Sequence, residues 1–245
     1  SADKAVELMN SRAKMLGMNG TVYTDCTGMG EGNVTTAKDT ALLCSELAKY
    51  KNLTPYLTCW LDTVRDGKAE LVNLNRLVRT YKGVTGMKAW GSEKAGSCIA
   101  ATAEKGDMSV CVVLNGCNSQ ENMNAEAKKL LNLAFDTYEI YTPELPEDMV
   151  KETVVCGGEE LSVELAPEGL YPMVIPRGTY RMVECDFTAE EKLDAPVKNG
   201  ETAGEIRYTM GGEVILEGKI VACKEVKKMN FICGIKKLVY NLLSM

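Results

Sequence analysis

The chain has 245 residues, 45% of them hydrophobic, and a formal charge of −6; that length holds one large domain or two ordinary ones, with enough apolar material for a packed core. The negative charge excludes nucleic acid as the main partner, because phosphate binding needs a basic face. The chain has no histidine, which excludes Ser-His-Asp and Cys-His nucleophile pairs and histidine-containing zinc sites.

Residues 2–16 have helical spacing, with Val6, Leu8, Met9, Ala13 and Leu16 as an apolar stripe and Gly17 as the stop. Residues 18–34 are turn-rich. Their Gly28, Gly30 and Gly32 fit neither a dinucleotide nor a P-loop fingerprint. Asp25, Glu31 and Asp39 are read as solvated loop carboxylates. A second helix is expected over 36–50, capped by Thr35 or Thr36, with Leu42, Leu43 and Leu47 on one face. Residues 70–79 alternate weakly and suggest a strand. Residues 96–104 and 107–114 form a hairpin pattern around Lys105-Gly106-Asp107. A third helix is expected over 120–138, with Ala127, Leu130, Leu131, Ala134 and Phe135 facing the core.

The composition shifts at Thr142-Pro143-Glu144-Leu145-Pro146, which reads as a linker. Short apolar runs then follow near 153–156, 161–165, 170–175, 179–187, 203–209 and 213–222, separated by Gly, Pro and Asn. That spacing predicts a small β-sandwich. The tail changes again. Phe231, Ile232, Ile235, Leu238, Val239 and Leu242 fall on one helical face, flanked by Lys227, Lys228, Lys236 and Lys237. An amphipathic, cation-flanked helix of this kind is expected to lie on an anionic membrane surface. No apolar run reaches the roughly 18 residues of a spanning helix.

Ten cysteines are present, and none forms a C-x-x-C pair. A zinc ribbon or thioredoxin-like site is therefore not expected, nor any other metal or cofactor. Most cysteines read as small buried hydrophobes. Disulfide pairing is not legible in the sequence, and free use of cysteine suggests a reducing or anaerobic setting.

The segment from Tyr81 to Gly96 contains Gly86-Met87-Lys88-Ala89-Trp90-Gly91-Ser92-Glu93-Lys94-Ala95-Gly96. It resembles the surroundings of the Lys-Thr-Gly box of serine-type D-alanyl-D-alanine carboxypeptidases, the low-molecular-mass penicillin-binding proteins. Residues 98–103 and 109–116 resemble that family's next two core strands. Leu8-Met9-Asn10 through Met18, Thr35-Thr36-Ala37-Lys38-Asp39, and Ala125-Glu126-Ala127-Lys128-Lys129-Leu130-Leu131 resemble its helices in the same order. The β region and tail match its C-terminal domain and membrane anchor. The resemblance implies an α+β fold: a penicillin-binding, β-lactamase-like transpeptidase domain, incomplete at its N-terminus, then a small all-β sandwich and an amphipathic helix. The expected divisions are 1–142, a linker at 143–149, 150–229 and 230–245.

The family's chemistry implies three boxes. A Ser-x-x-Lys supplies the nucleophile and its base. A Ser-x-Asn passes the proton to the leaving amine. A Lys-Thr-Gly strand lines the cleft and meets the substrate carboxylate, while backbone donors hold the acyl oxygen. The first two boxes have no counterpart at the matching place here. The formal Ser11-Arg12-Ala13-Lys14 falls on a structural helix of the family and is a chance match. The third box is altered. Lys88 remains, Ala89 replaces the threonine, and Trp90 replaces the glycine. Losing the threonine hydroxyl is expected to weaken carboxylate binding by roughly 1.5–3 kcal/mol. Met123 stands where the family commonly places a carboxylate-binding arginine. The resemblance therefore implies an extracytoplasmic, membrane-associated relative of peptidoglycan carboxypeptidases, catalytically inactive as the chain stands. It would meet a stem peptide or a protein partner. The alternative is an active enzyme whose nucleophile lies upstream of Ser1.

Overall fold

The computed structural model describes residues 1–28, 30, 32–231 and 235. They divide into two compact units, 1–138 and 139 onward. The architecture is α+β, with a helix-covered sheet in the first unit and an almost purely β second unit.

Helix α1 (Ala2–Met15) starts at Ser1, whose hydroxyl accepts the Lys4 N–H at 3.3 Å. Helix α2 (Ala37–Leu47) is capped by Thr36, which accepts the Asp39 N–H at 3.1 Å. Either threonine could cap by composition, but Thr36 holds the required extended backbone. Next come the short helix α3 (Thr54–Leu57) and a separate two-stranded hairpin of β1 (Leu61–Val64) and β2 (Ala69–Val72).

The strand expected over 70–79 ends at Val72. The Asn73 side chain accepts the Asn75 N–H at 2.9 Å, and Asn75 accepts the Leu77 N–H at 3.1 Å. Two asparagines offering local acceptors turn the chain and start α4 (Leu77–Thr80), which buries Leu77.

The main sheet of the unit is antiparallel, with β3 (Val84–Ser92) at one edge, β4 (Gly96–Lys105) in the middle and β5 (Met108–Cys117) at the other edge. Residues 98–103 of β4 are all buried rather than alternating. Both faces of the sheet are covered, so every side chain there must be apolar or internally paired. Helix α2 packs over Ala100, Cys111 and Val113. Helix α5 (Gln120–Thr137) packs on β4 and β5 and covers the other face. Ser119 caps α5 by accepting the Asn122 N–H at 3.1 Å. Met123, Ala127, Leu131 and Phe135 form its buried stripe, one per turn. Leu130, expected in the core, is exposed because it lies one step off that stripe.

Gly96 closes the β3–β4 turn with φ +65°, and a Cβ there would lie 2.9 Å from the Cys117 carbonyl oxygen. Only glycine fits that combination.

The second unit holds β6 (Tyr138–Tyr141), β7 (Glu152–Cys156), β8 (Ser162–Glu168), β9 (Met173–Pro176), β10 (Val183–Ala189), β11 (Lys192–Asp194), β12 (Thr202–Met210) and β13 (Glu213–Ala222). Strand β8 pairs with β7 through residues 162–164 and with β13 through 165–168. One strand thus serves both the β11–β7 side and the β13–β12–β10 side. Val155, Val163, Leu165, Ile206, Tyr208 and Ile220 fill the core. Alternation is clean in β7 and β10, as expected for strands with one wet face. The Tyr208 hydroxyl donates to the Glu144 carbonyl at 3.0 Å, and Met149 joins the same core. Burial pushes the Tyr208 phenol well above its usual range, and the neighbouring Cys185 thiol adds to the shift.

Phe231 and Ile235 are helical and exposed. The other residues of the expected membrane-facing stripe, Ile232, Leu238, Val239 and Leu242, lie outside the described residues, as do Lys236 and Lys237 of its cationic flank. Among the described residues no helix is long and apolar enough to cross a membrane.

Candidate active site

The residues singled out by the altered box lie on β3, the edge strand of the main sheet. Register fixes their directions. Lys88 is opposite Ala100 and Trp90 is opposite Cys98, whereas Ala89 is opposite Ile99. Alternation therefore sends Lys88 and Trp90 to the α2 face and the Ala89 methyl to the other. Lys88 is exposed and Trp90 is half-buried. The Trp90 ring rests on the cluster of Cys44, Met87 and Ala100. Ala89 is only 4% exposed, and Met123 on α5 only 1%. The fold thus brings Lys88 and Trp90 together at the surface. It turns Ala89 and Met123 into the interior, where neither has a polar atom to offer.

The start of β3 is held by two contacts that the sequence did not advertise. Buried Asn75 donates from Nδ2 to the Gly86 carbonyl at 3.3 Å. Thr85 donates from Oγ1 to Thr102 Oγ1 at 2.8 Å, tying β3 to β4. The hint was the Asn73-x-Asn75 spacing ahead of a glycine-rich strand. Nearby, the Arg79 guanidinium sits 5.1 Å over the Trp60 ring, a cation–π contact that anchors the base of the β1–β2 hairpin.

The glycine-rich loop has its own organiser. Asp25 accepts from Thr27 N and Oγ1, both at 2.7 Å, from Gly28 N at 2.7 Å, from Gly30 N at 3.1 Å and from Asn33 Nδ2 at 2.7 Å. These donors, led by the Thr27 hydroxyl, lower its pKa to about 2. Asp39 is buried and accepts Gly20 N at 2.8 Å and Thr21 Oγ1 at 2.7 Å. The expectation of solvated carboxylates fails for Asp39, because an unpaired loop amide needed an acceptor. Glu31 lies outside the described residues. Asn10 clips α1 to this loop, donating to the Tyr23 carbonyl at 2.7 Å and accepting the Tyr23 N–H at 2.9 Å. Ser11 and Lys14 are exposed on α1.

Residues 1–118 match the family described as D-alanyl-D-alanine carboxypeptidase, and residues 135–228 match the penicillin-binding protein 5 C-terminal domain. The carboxypeptidase DacF of Bacillus subtilis (strain 168) is 31% identical over 242 residues, spanning 97% of this chain and 62% of that protein. The chain resembles the D-alanyl-D-alanine carboxypeptidases along its first stretch and, in DacF, over nearly its whole length. Both matched stretches, in the same order, support a resemblance to the low-molecular-mass penicillin-binding proteins.

DacC of Escherichia coli (strain K12) is 29% identical over 234 residues, covering 94% of this chain and 58% of that carboxypeptidase. Penicillin-binding protein 5 from Haemophilus influenzae shares the fold with a TM-score of 0.75 at 23% identity, over 91% of this chain and 66% of that one. The chain thus spans about three fifths of the length of the curated carboxypeptidases it matches.

Proposed function

We propose that this relative of the carboxypeptidases receives an extended peptidoglycan stem peptide, or a protein segment shaped like one, along β3 without itself hydrolysing it. The observation that carries this reading is the split on β3. Lys88 and Trp90 are presented together, while Ala89 and Met123 are buried without a polar handle. An edge strand offers unpaired backbone groups to an incoming extended chain. Lys88 supplies a cation for a peptide carboxylate and Trp90 an apolar wall. Catalysis needs more than this. A nucleophile, its base, and donors aimed at the developing oxyanion must converge, and Ser11 with Lys14 stands exposed on a helix instead. Titration of the chain with a stem peptide ending in D-alanyl-D-alanine tests the reading. Saturable binding is expected, weakened roughly tenfold in Lys88→Ala, the scale of one charge-assisted hydrogen bond. Binding unchanged by that substitution, or no binding, overturns it.

A second reading is an active serine carboxypeptidase in which Lys88 keeps its family role and the nucleophile comes from another segment. The chain spans only about three fifths of its relatives, which leaves room for such a segment. The residue divisions proposed above, and an extracytoplasmic position against the cytoplasmic membrane through the stripe from Phe231 to Leu242, belong to both readings. The exposure of Phe231 and Ile235 beside Lys227 and Lys228 supports the membrane contact.

A further inference from the structure

We propose that the tip of the β7–β8 hairpin is a second point of membrane contact, with Leu161 entering an anionic lipid surface beside the tail. This contact rests on the tail reading above and adds a residue of the β unit to it. The tip is Gly157-Gly158-Glu159-Glu160-Leu161, and the Leu161 side chain is 72% exposed. A lone exposed leucine is ordinary on a protein surface. What sets Leu161 apart is the backbone bonded to its hairpin. The Glu159 N–H donates to the Lys227 carbonyl at 2.8 Å, and the Met229 N–H donates to the Gly157 carbonyl at 2.7 Å. Gly158 and Lys228 form an antiparallel bridge between these bonds. A Cβ on Gly158 would lie 2.8 Å from Val155 Cγ1 and 2.8 Å from Val226 Cγ1, so the close approach of the two segments requires glycine.

The segment that leads into the tail is thus fixed against the hairpin tip. It is pinned again one residue earlier, where Val226 and Val197 exchange backbone bonds of 2.9 Å. Phe231 lies two residues beyond the bonded Met229. Two residues of chain carry it at most about 7 Å from that anchor. Phe231 is 83% exposed, so two large, uncovered apolar side chains stand at one end of the β unit. The charges suit an anionic surface. Glu160 is paired with Lys224, and the Asn230 side chain donates to Glu159 at 3.5 Å. Lys227 and Lys228 are exposed between the two apolar residues. Apolar insertion flanked by lysines is how a surface-bound segment holds to anionic lipid. Two insertion points on one backbone-bonded end would also fix how the β unit stands on the membrane.

The test uses the whole 245-residue chain and vesicles of equal parts phosphatidylglycerol and phosphatidylcholine, read by co-sedimentation. Leu161→Asp should melt as the parent does, because the side chain is exposed, and should partition about tenfold more weakly. Leu161→Trp should gain blue-shifted emission on vesicle binding, quenched by brominated acyl chains, above the background that Trp60 and Trp90 give in the parent. Unchanged partitioning of Leu161→Asp overturns the proposal, as does unquenched emission from Leu161→Trp, the result expected if the tip meets solvent or a protein instead. The tail reading is then judged separately by changing Phe231 and Ile235 together to Asp. Binding weakened by Leu161→Asp but not by that double variant keeps the hairpin contact and overturns the tail reading. No retention of the parent by the vesicles overturns both.

Discussion

Ala89 and Asp25 show how differently one residue reads in sequence and in the fold. Ala89 stood out only because the family has a threonine there, and register adds that its side chain faces inward. Restoring the family residue with Ala89→Thr should therefore not rescue recognition. It adds a methyl-sized group and a hydroxyl to a packed interior and should cost about 1–3 kcal/mol, measured by denaturant unfolding. Asp25 was legible as a loop acid, but its five accepted hydrogen bonds depend on a backbone path that composition does not encode. Its folded pKa of about 2 lies below the ordinary 3.8. The ionised form is the one favoured by folding, so its contribution is present above pH 4 and disappears as pH falls through about 2. Asp25→Asn should melt below the parent at pH 6, and the two melting curves should converge toward pH 2. A gap that persists at pH 2 would contradict that assignment.

Whole elements were easier to read than their ends. Helices α1, α2 and α5 and the β4–β5 hairpin follow from periodicity and from turn chemistry at Gly17 and Gly106. The short pieces were not legible. α3, α4 and β11 are each only three or four residues long, too short to express a period. The strand expected over 70–79 failed because two asparagine side chains outweighed a weak alternation. Strand β11 pairs in parallel with β7, a long-range choice that local pattern does not carry. Two element-scale outcomes follow from the caps and turns. Ser119→Ala should remove the α5 cap and cost about 1 kcal/mol in unfolding free energy. Gly96→Ala places a methyl against the Cys117 carbonyl in a left-handed turn and should cost more, about 2 kcal/mol or above, by the same measurement.

For the whole molecule, order and spacing of motifs along nearly the full chain made the resemblance legible even though each motif alone was modest. The two-unit organisation and the β core around Tyr208 agree with that resemblance. The proposed membrane contact of the tail rests on helical spacing. Co-sedimentation with vesicles rich in anionic lipid should retain the chain and lose it when Phe231 and Ile235 are both changed to Asp, with high salt weakening the interaction. The most direct measurement for the central claim is covalent labelling with a fluorescent penicillin, since acylation needs the nucleophile and the carboxylate-binding cleft together. The arrangement at β3 and α5, with Lys88 and Trp90 presented and Ala89 and Met123 buried, predicts no labelled band for this chain. A stable, stoichiometric acyl-protein would contradict it and establish a working serine active site.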